Sequence, residues 1–299
     1  MTAARVRLFV KDLTPPLAWR TLKRAKDAVR GEPQPEVSPA PAERQPPEWE
    51  YVPEGWQRQT KGWDVDAVVA AYRDKWPSYV DALREPNPLG VYHEVVAGTG
   101  VEAHDRGAHN MLVSFAYVLA RAAHGRERLS MLDWGGGLGH YFALARAVLP
   151  DLQLDYHCRE LPKVAAAGRE LLSETSFHDD DSCLDRRYDL VLASSSLQYA
   201  EQWRDLLRRL ARATGSYLYV TRVPLALRAP SFVVLQRANR YGYGTEYLGW
   251  VFNRDELLRE AAAASLRLVR EFLLFGEIDA VGAPERPVEH RGFLFQPAT

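Results

Sequence analysis

The spacing of apolar positions changes character along the chain, and each change marks a different kind of segment. Over Leu17–Val29, Leu17, Leu22, Ala25 and Val29 fall near one side of a possible helix, with basic residues elsewhere. Residues 32–53 lose apolar periodicity altogether. Proline recurs there every few residues, removing backbone donors and biasing its neighbours toward extended conformations, which predicts a linker over 32–55. Ordered structure is expected to resume near Trp56. Val65, Val68, Val69 and Tyr72 form an apolar stripe, predicting a helix over Val65–Trp76 with Asp64 as N-cap and Pro77 as its stop. Asn110–His124 is apolar on most sides and predicts a buried helix, so residues 56–128 read as a helical cap.

From Leu129 the pattern alternates between strand and helix. Leu129–Trp134, Leu152–Cys158, the almost purely apolar Tyr188–Ala193 and Ser216–Val220 read as strands. Tyr141–Val148, Lys163–Ser173, Trp203–Ala213 and Asp255–Ala264 read as the helices between and after them. Alternation of this kind predicts an α/β domain over 129–299 built on a parallel sheet. Leu266–Phe275 and Gly292–Gln296 have no helix between them, which predicts an antiparallel C-terminal hairpin.

Composition narrows the function classes. The 299 residues are 46% hydrophobic, enough to bury a sizeable core, and carry a formal net charge of -1. That balance speaks against a dedicated nucleic-acid binder. Two cysteines, Cys158 and Cys183, make no disulfide framework and suit free thiols in a reducing cytoplasm, where the protein is expected. No apolar run approaches the roughly 20 residues of a membrane span, and the start lacks the pattern of a secretory signal. Charge is uneven only at the start. Residues 1–31 hold Arg5, Arg7, Lys11, Arg20, Lys23, Arg24, Lys26 and Arg30 against Asp12 and Asp27, a basic leader that either meets an anionic membrane surface or partner, or lies on the protein body. No H-E-x-x-H or cysteine–histidine cluster points to a metal, and no G-x-S-x-G elbow points to a hydrolase.

The most informative stretch is Met131-Leu-Asp-Trp-Gly-Gly-Gly-Leu-Gly-His-Tyr141, a strand running through four glycines into a helix. Glycine lets the backbone turn sharply and lets a ligand approach, while the helix start offers unpaired N–H groups. The dinucleotide spacing G-x-G-x-x-G fails, because its third glycine would fall on His140 or Phe142. Acidic-x-G-x-G-x-G is filled at every place by Asp133, Gly135, Gly137 and Gly139, with Gly136 between them. Glu160, at the end of the second strand and about 20 residues beyond the loop, is positioned as a ribose-binding acid.

Residues 131–141 resemble the first motif of class I S-adenosylmethionine-dependent methyltransferases. The resemblance implies a Rossmann-like sheet of seven strands, mostly parallel, with helices on both faces and the antiparallel strand in the C-terminal hairpin. It implies S-adenosylmethionine as methyl donor and S-adenosylhomocysteine as product. It also implies that the glycine loop underlies the amino acid part of the cofactor, with Asp133 helping to hold its ammonium group. By the same resemblance Asp179 or Asp180, after the third strand, contacts the adenine or is a solvated turn, and Ser194, a cofactor-binding position, opens the substrate-facing end of the fourth strand. That end, Ser194–Tyr199, lacks the Asn/Asp-Pro-Pro-aromatic pattern of amino-methylating enzymes, favouring an oxygen acceptor or another small molecule. Tyr188–Tyr199, Tyr219–Pro224 and Arg291–Phe295 resemble a narrower family of methyltransferases associated with bacterial surface-polysaccharide gene clusters, which implies a sugar or glycan-precursor acceptor.

Methyl transfer needs alignment and exclusion of water, plus a base when the acceptor is a hydroxyl. His140 is either that base or a helix-capping, cofactor-packing side chain. His104, His109 and Asn110 precede the buried helix and either face the site or form a surface loop. Arg222 either grips a substrate carboxylate or phosphate or forms a structural ion pair. Tyr199 closes the fourth-strand segment, and Gln236, Tyr241, Tyr243, Tyr247 and Trp250 either recognise the acceptor by stacking and hydrogen bonding or cover the sheet edge. Two alternatives fit the same residues less fully: an enzyme that uses the sulfonium for cyclisation or elimination, and a non-catalytic cofactor-binding or scaffold protein.

Overall fold

Strand Tyr188–Ser194 explains why the domain has two cores. Its Leu190 and Leu192 join one apolar cluster and its Val191 and Ala193 another, on the opposite face of the sheet. A run buried on both sides has no polar positions to alternate with, as expected for a central parallel strand. The structure, a computed structural model, describes residues 46–86 and 106–298. The basic leader with its surface contact, most of the linker and His104 lie outside the described residues.

The strands, in chain order, are β1 (Trp49–Tyr51), β2 (Arg128–Trp134), β3 (Gln153–Arg159), β4 (Ser176–His178), β5 (Tyr188–Ser194), β6 (Thr214–Ala226), β7 (Phe232–Arg237), β8 (Glu246–Asn253), β9 (Leu266–Ile278) and β10 (Val288–Pro297). The helices are α1 (Asp66–Arg84), α2 (Arg106–Ala123), α3 (His140–Val148), α4 (Pro162–Leu171), α5 (Trp203–Ala213) and α6 (Arg254–Ala263). Seven strands form the Rossmann-like sheet in the spatial order β4-β3-β2-β5-β6-β10-β9. β2 through β6 pair in parallel, and β10 runs antiparallel to both β6 and β9, closing the sheet with the expected hairpin. Helix α5 buries Trp203, Leu206, Leu207, Leu210 and Ala211, one stripe at helical spacing, against the face that holds Val191 and Ala193. Helices α2 and α3 cover the other face through Phe115, Leu119, Tyr141 and Leu144.

Three features depart from the expected pattern. The segment after β6 is a pair of antiparallel strands, β7 and β8, and β8 joins β6 through Leu225–Phe252 and Ala226–Asn253. The expected linker ends early: β1 lies within it, pairing with β7, and Tyr51 packs edge-on against Phe232 with ring centroids 5.8 Å apart. Helix α1 does not stop at Pro77 but continues to Arg84. A proline inside a helix removes one N–H bond; here the turn beyond it buries Tyr79, whose hydroxyl donates to the His140 carbonyl at 3.2 Å. Asp64 is not the cap either, since its carboxylate accepts from the Lys163 N–H at 3.3 Å. Among the described residues no helix is long and apolar enough to cross a membrane, and both cysteines are free and buried.

Candidate active site

The turn from β2 into α3 is made by Gly135–Gly139. Gly137 has φ 61°, in the left-handed region, and donates its N–H to Glu160 Oε1 at 2.8 Å. Gly136 lies flat on what is beneath it: a Cβ there would strike the Asp133 carboxylate and come within 2.8 Å of Cys158 Sγ. Asp133 is fully buried under the loop, with Oδ2 accepting from the Tyr156 hydroxyl at 2.6 Å. Its Oδ1 has no hydrogen-bond partner among the described residues. Burial pushes the Asp133 carboxyl up to about 7; the Tyr156 bond works against that rise and the nearby Glu160 charge adds to it. Glu160 directly follows β3, with Oε2 accepting from the Leu161 N–H at 2.8 Å, and burial raises its carboxyl despite the two backbone bonds.

Across the sheet's carboxyl edge from Glu160 stand the end of β5 and the stretch of β6 around Arg222. Ser194 Oγ lies 2.8 Å from the Tyr141 hydroxyl. Ser195 and Arg222 have φ 50° and 56°, both left-handed and neither glycine. Such residues cluster at functional sites because the surroundings must hold them. Between these segments and the glycine turn lies a cleft. Gly135, Gly136, Gly137 and His140 line one side, and Tyr141, Ser194, Ser195 and Arg222 another.

The outer wall is aromatic. Trp63 and Tyr72 complete the lining. Trp63 stacks on Tyr247 with centroids 3.9 Å apart and meets Tyr199 edge-on at 5.1 Å. Tyr72 meets Tyr243 edge-on at 5.6 Å. Two backbone ties fasten this wall to the accessory strands: the Gly62 N–H donates to the Glu246 carbonyl at 3.0 Å, and the Thr245 hydroxyl to the Gly62 carbonyl at 2.6 Å. His140 is enclosed by the same helix, its ring within 5.5 Å of Tyr72 and 5.3 Å of both Trp76 and Tyr79.

A family model described as a methyltransferase domain matches residues 108–271, more than half of the chain. The chain belongs to that family. It is an S-adenosylmethionine-dependent methyltransferase. No curated protein matches it by sequence. Among solved structures, it resembles a protein described as a sarcosine dimethylglycine methyltransferase from Galdieria sulphuraria, with 13% identity over 78% of this chain and 99% of that one and a TM-score of 0.50. A 1,6-didemethyltoxoflavin-N1-methyltransferase from Burkholderia thailandensis shares 16% identity over 84% and 100% of the two chains, with a TM-score of 0.43. An amino pentose methyltransferase from Micromonospora echinaspora shares 14% over 62% and 91%, with a TM-score of 0.42. At these identities the likeness is one of fold.

The site of this methyltransferase fits a cofactor that is cationic at its methionine end and carries a diol. The loop has no side chains to obstruct an approach and rests on the buried Asp133 carboxyl, and each Glu160 oxygen keeps a lone pair beyond its backbone bond. Several residues expected at the site are not brought to the cleft. Asp133 supports the loop from below instead of lining it. Gly139 packs toward Leu172 and Phe177. Asp179 is turned to Arg169 of α4 at 3.0 Å, and Asp180 accepts from the Ser182 N–H of its own turn at 3.0 Å. His109 sits on the exposed side of α2. Gln236 is buried, its Oε1 accepting from the Tyr199 hydroxyl at 2.9 Å. Tyr199, Tyr243 and Tyr247 form a second layer behind Trp63 and Tyr72. Sequence reasoning passed over Trp63, Tyr141 and Ser195 as site residues and treated Tyr72 as helix stripe alone. Tyr141, next to the glycine turn, was the one with a readable signal.

Proposed function

We propose that the protein transfers the methyl group of S-adenosylmethionine to an oxygen of a small acceptor, a sugar or glycan precursor or a carboxylate, in the cytoplasm. The observation that carries this reading is the cleft itself, where the glycine turn, an aromatic wall and Arg222 meet at the carboxyl edge of the sheet. Ligands of open α/β sheets bind there, where the strand order reverses. When bound, the cofactor supplies an electrophilic methyl group on a sulfonium. The loop Gly135–Gly137 would carry its amino acid end over Asp133, and Glu160 would accept from its ribose hydroxyls. Trp63 and Tyr72 offer faces on which a ring can stack and from which water is excluded. The His140 imidazole, which lines the cleft and is held by three rings, would take a hydroxyl proton; a carboxylate acceptor would need no base. The resemblance of Tyr188–Tyr199 and Arg291–Phe295 to the polysaccharide-associated family supports the glycan precursor.

The test is calorimetric titration with S-adenosylmethionine and S-adenosylhomocysteine, followed by acceptor screening with product analysis. Binding that Glu160→Ala weakens, with S-adenosylhomocysteine formed only when a sugar or carboxylate acceptor is present, is the expected result. Methylthioadenosine as product, or no binding by folded protein, would overturn it.

A further inference from the structure

Strand β6 breaks its register where it passes the cleft. Val220 pairs with Phe293 and Val223 with Arg291, so Thr221 and Arg222 together oppose the single residue Gly292. This is a β-bulge, and bulges beside active sites re-aim a side chain. Arg222 occupies its left-handed position, where glycine is the usual residue. Three neighbours hold the irregularity. Gly292 has no room for a side chain, since a Cβ would stand 2.8 Å from both Thr221 Oγ1 and the Tyr219 hydroxyl. The Ser195 N–H donates to the Thr221 carbonyl at 2.9 Å. Gln198, 3% exposed, donates from Nε2 to the Arg222 carbonyl at 3.3 Å and to Ser195 Oγ at 3.1 Å. Its one amide therefore joins the two left-handed residues of the cleft.

Among the described residues that line the cleft, Arg222 is the only arginine, lysine or carboxylate. It stands on β6, two strands beyond the glycine turn on the side away from Glu160, where the acceptor and not the ribose would lie. We propose that the bulge aims the Arg222 guanidinium at an oxyanion carried by the methyl acceptor, a carboxylate or a phosphate ester, and that Gln198 is the positioning residue that holds it there. A planar guanidinium matches either group bidentately. The inference rests on the acceptor entering this cleft, as argued above.

The experiment uses the full chain saturated with S-adenosylhomocysteine and titrated calorimetrically with inorganic phosphate and, separately, acetate. Wild-type protein should bind at least one of the two anions, and which one tells phosphate from carboxylate. Arg222→Met should weaken that binding at least tenfold while S-adenosylhomocysteine affinity stays within about twofold. Gln198→Leu should weaken it several-fold with the same cofactor affinity, and should add nothing in the Arg222→Met background, the non-additivity expected of residues acting as one unit. Arg222→Gly, which suits the left-handed position, gives a folded control that should lose anion binding with Tm unchanged or raised. Absence of anion binding by wild-type protein, or binding unaltered in Arg222→Met, would overturn the proposal. So would a fall in S-adenosylhomocysteine affinity in Arg222→Met, which would assign the arginine to the cofactor carboxylate. Failure of wild-type protein to bind S-adenosylhomocysteine would instead overturn the function proposed above.

Discussion

The Tyr156 hydroxyl and the Asp133 carboxylate meet under the glycine turn at 2.6 Å, in a space closed to solvent. This bond is the only one that described residues offer Asp133 in place of the water it loses. With its carboxyl near 7 in the folded protein against 3.8 for the free side chain, the folded state holds the proton more tightly than the unfolded state. The associated stability is fully present below about pH 4 and is lost as pH rises through about 7. Asp133→Asn, which keeps an acceptor for Tyr156, should therefore match wild-type protein at pH 4 and exceed it at pH 8 by about 4 kcal/mol. Urea unfolding of the two proteins across that range checks it; parallel pH profiles would mean that Asp133 is solvated.

Gly136 has no space above Asp133. Gly136→Ala should destabilise the fold by about 1–3 kcal/mol through overpacking and lower S-adenosylhomocysteine affinity at least tenfold by lifting the turn. Thermal melting and calorimetry report the two effects separately.

Trp63 lines the cleft and stacks on Tyr247. Its indole should change environment when the cleft fills, so cofactor or acceptor binding should alter tryptophan emission, and Trp63→Phe should abolish most of that change. Trp63→Ala should raise acceptor KM about tenfold or more, on the scale of one aromatic stacking contact, with cofactor affinity little affected. An unchanged KM would remove the aromatic wall from acceptor recognition.

Glu285 caps the turn after β6 by accepting from the Leu227, Arg228 and Ala229 N–H groups at 3.0, 2.8 and 2.8 Å. Burial alone would raise its carboxyl, but the three backbone bonds bring it below the usual value of 4.5. Its contribution is present above that value and fades as pH falls below it. Glu285→Ala should cost about 2–3 kcal/mol at pH 7, and less in acid, as measured by denaturant unfolding.

Elements whose burial follows a simple period were legible in the sequence. Helix α5 was expected and found at Trp203–Ala213, because its buried residues repeat at helical spacing. β5 was readable because both of its faces are covered. The accessory strands were not. Trp49–Tyr51 follows a proline-rich stretch and becomes a strand only because β7, some 180 residues later, offers it an edge. Pro77 read as a stop, and only the packing of Tyr79 on His140 shows why the helix continues. The glycine turn was visible as a motif, but the outer wall of its cleft was not, since Trp63 reaches it through ties to Thr245 and Glu246. The bulge at Arg222 depends on Gly292, a partner no local pattern could name.

The central place of β10, between β6 and β9, sets the order in which the polypeptide can finish folding as it leaves the ribosome. Strands β2 to β6 and their helices precede it and can associate early, yet β9 has no neighbour other than β10 among the described strands. Until Val288–Pro297 has emerged, β6 presents a bare hydrogen-bonding edge and β9 none of its pairing. An interrupted or truncated translation product would expose that edge to other chains, making it a substrate for chaperones and proteases.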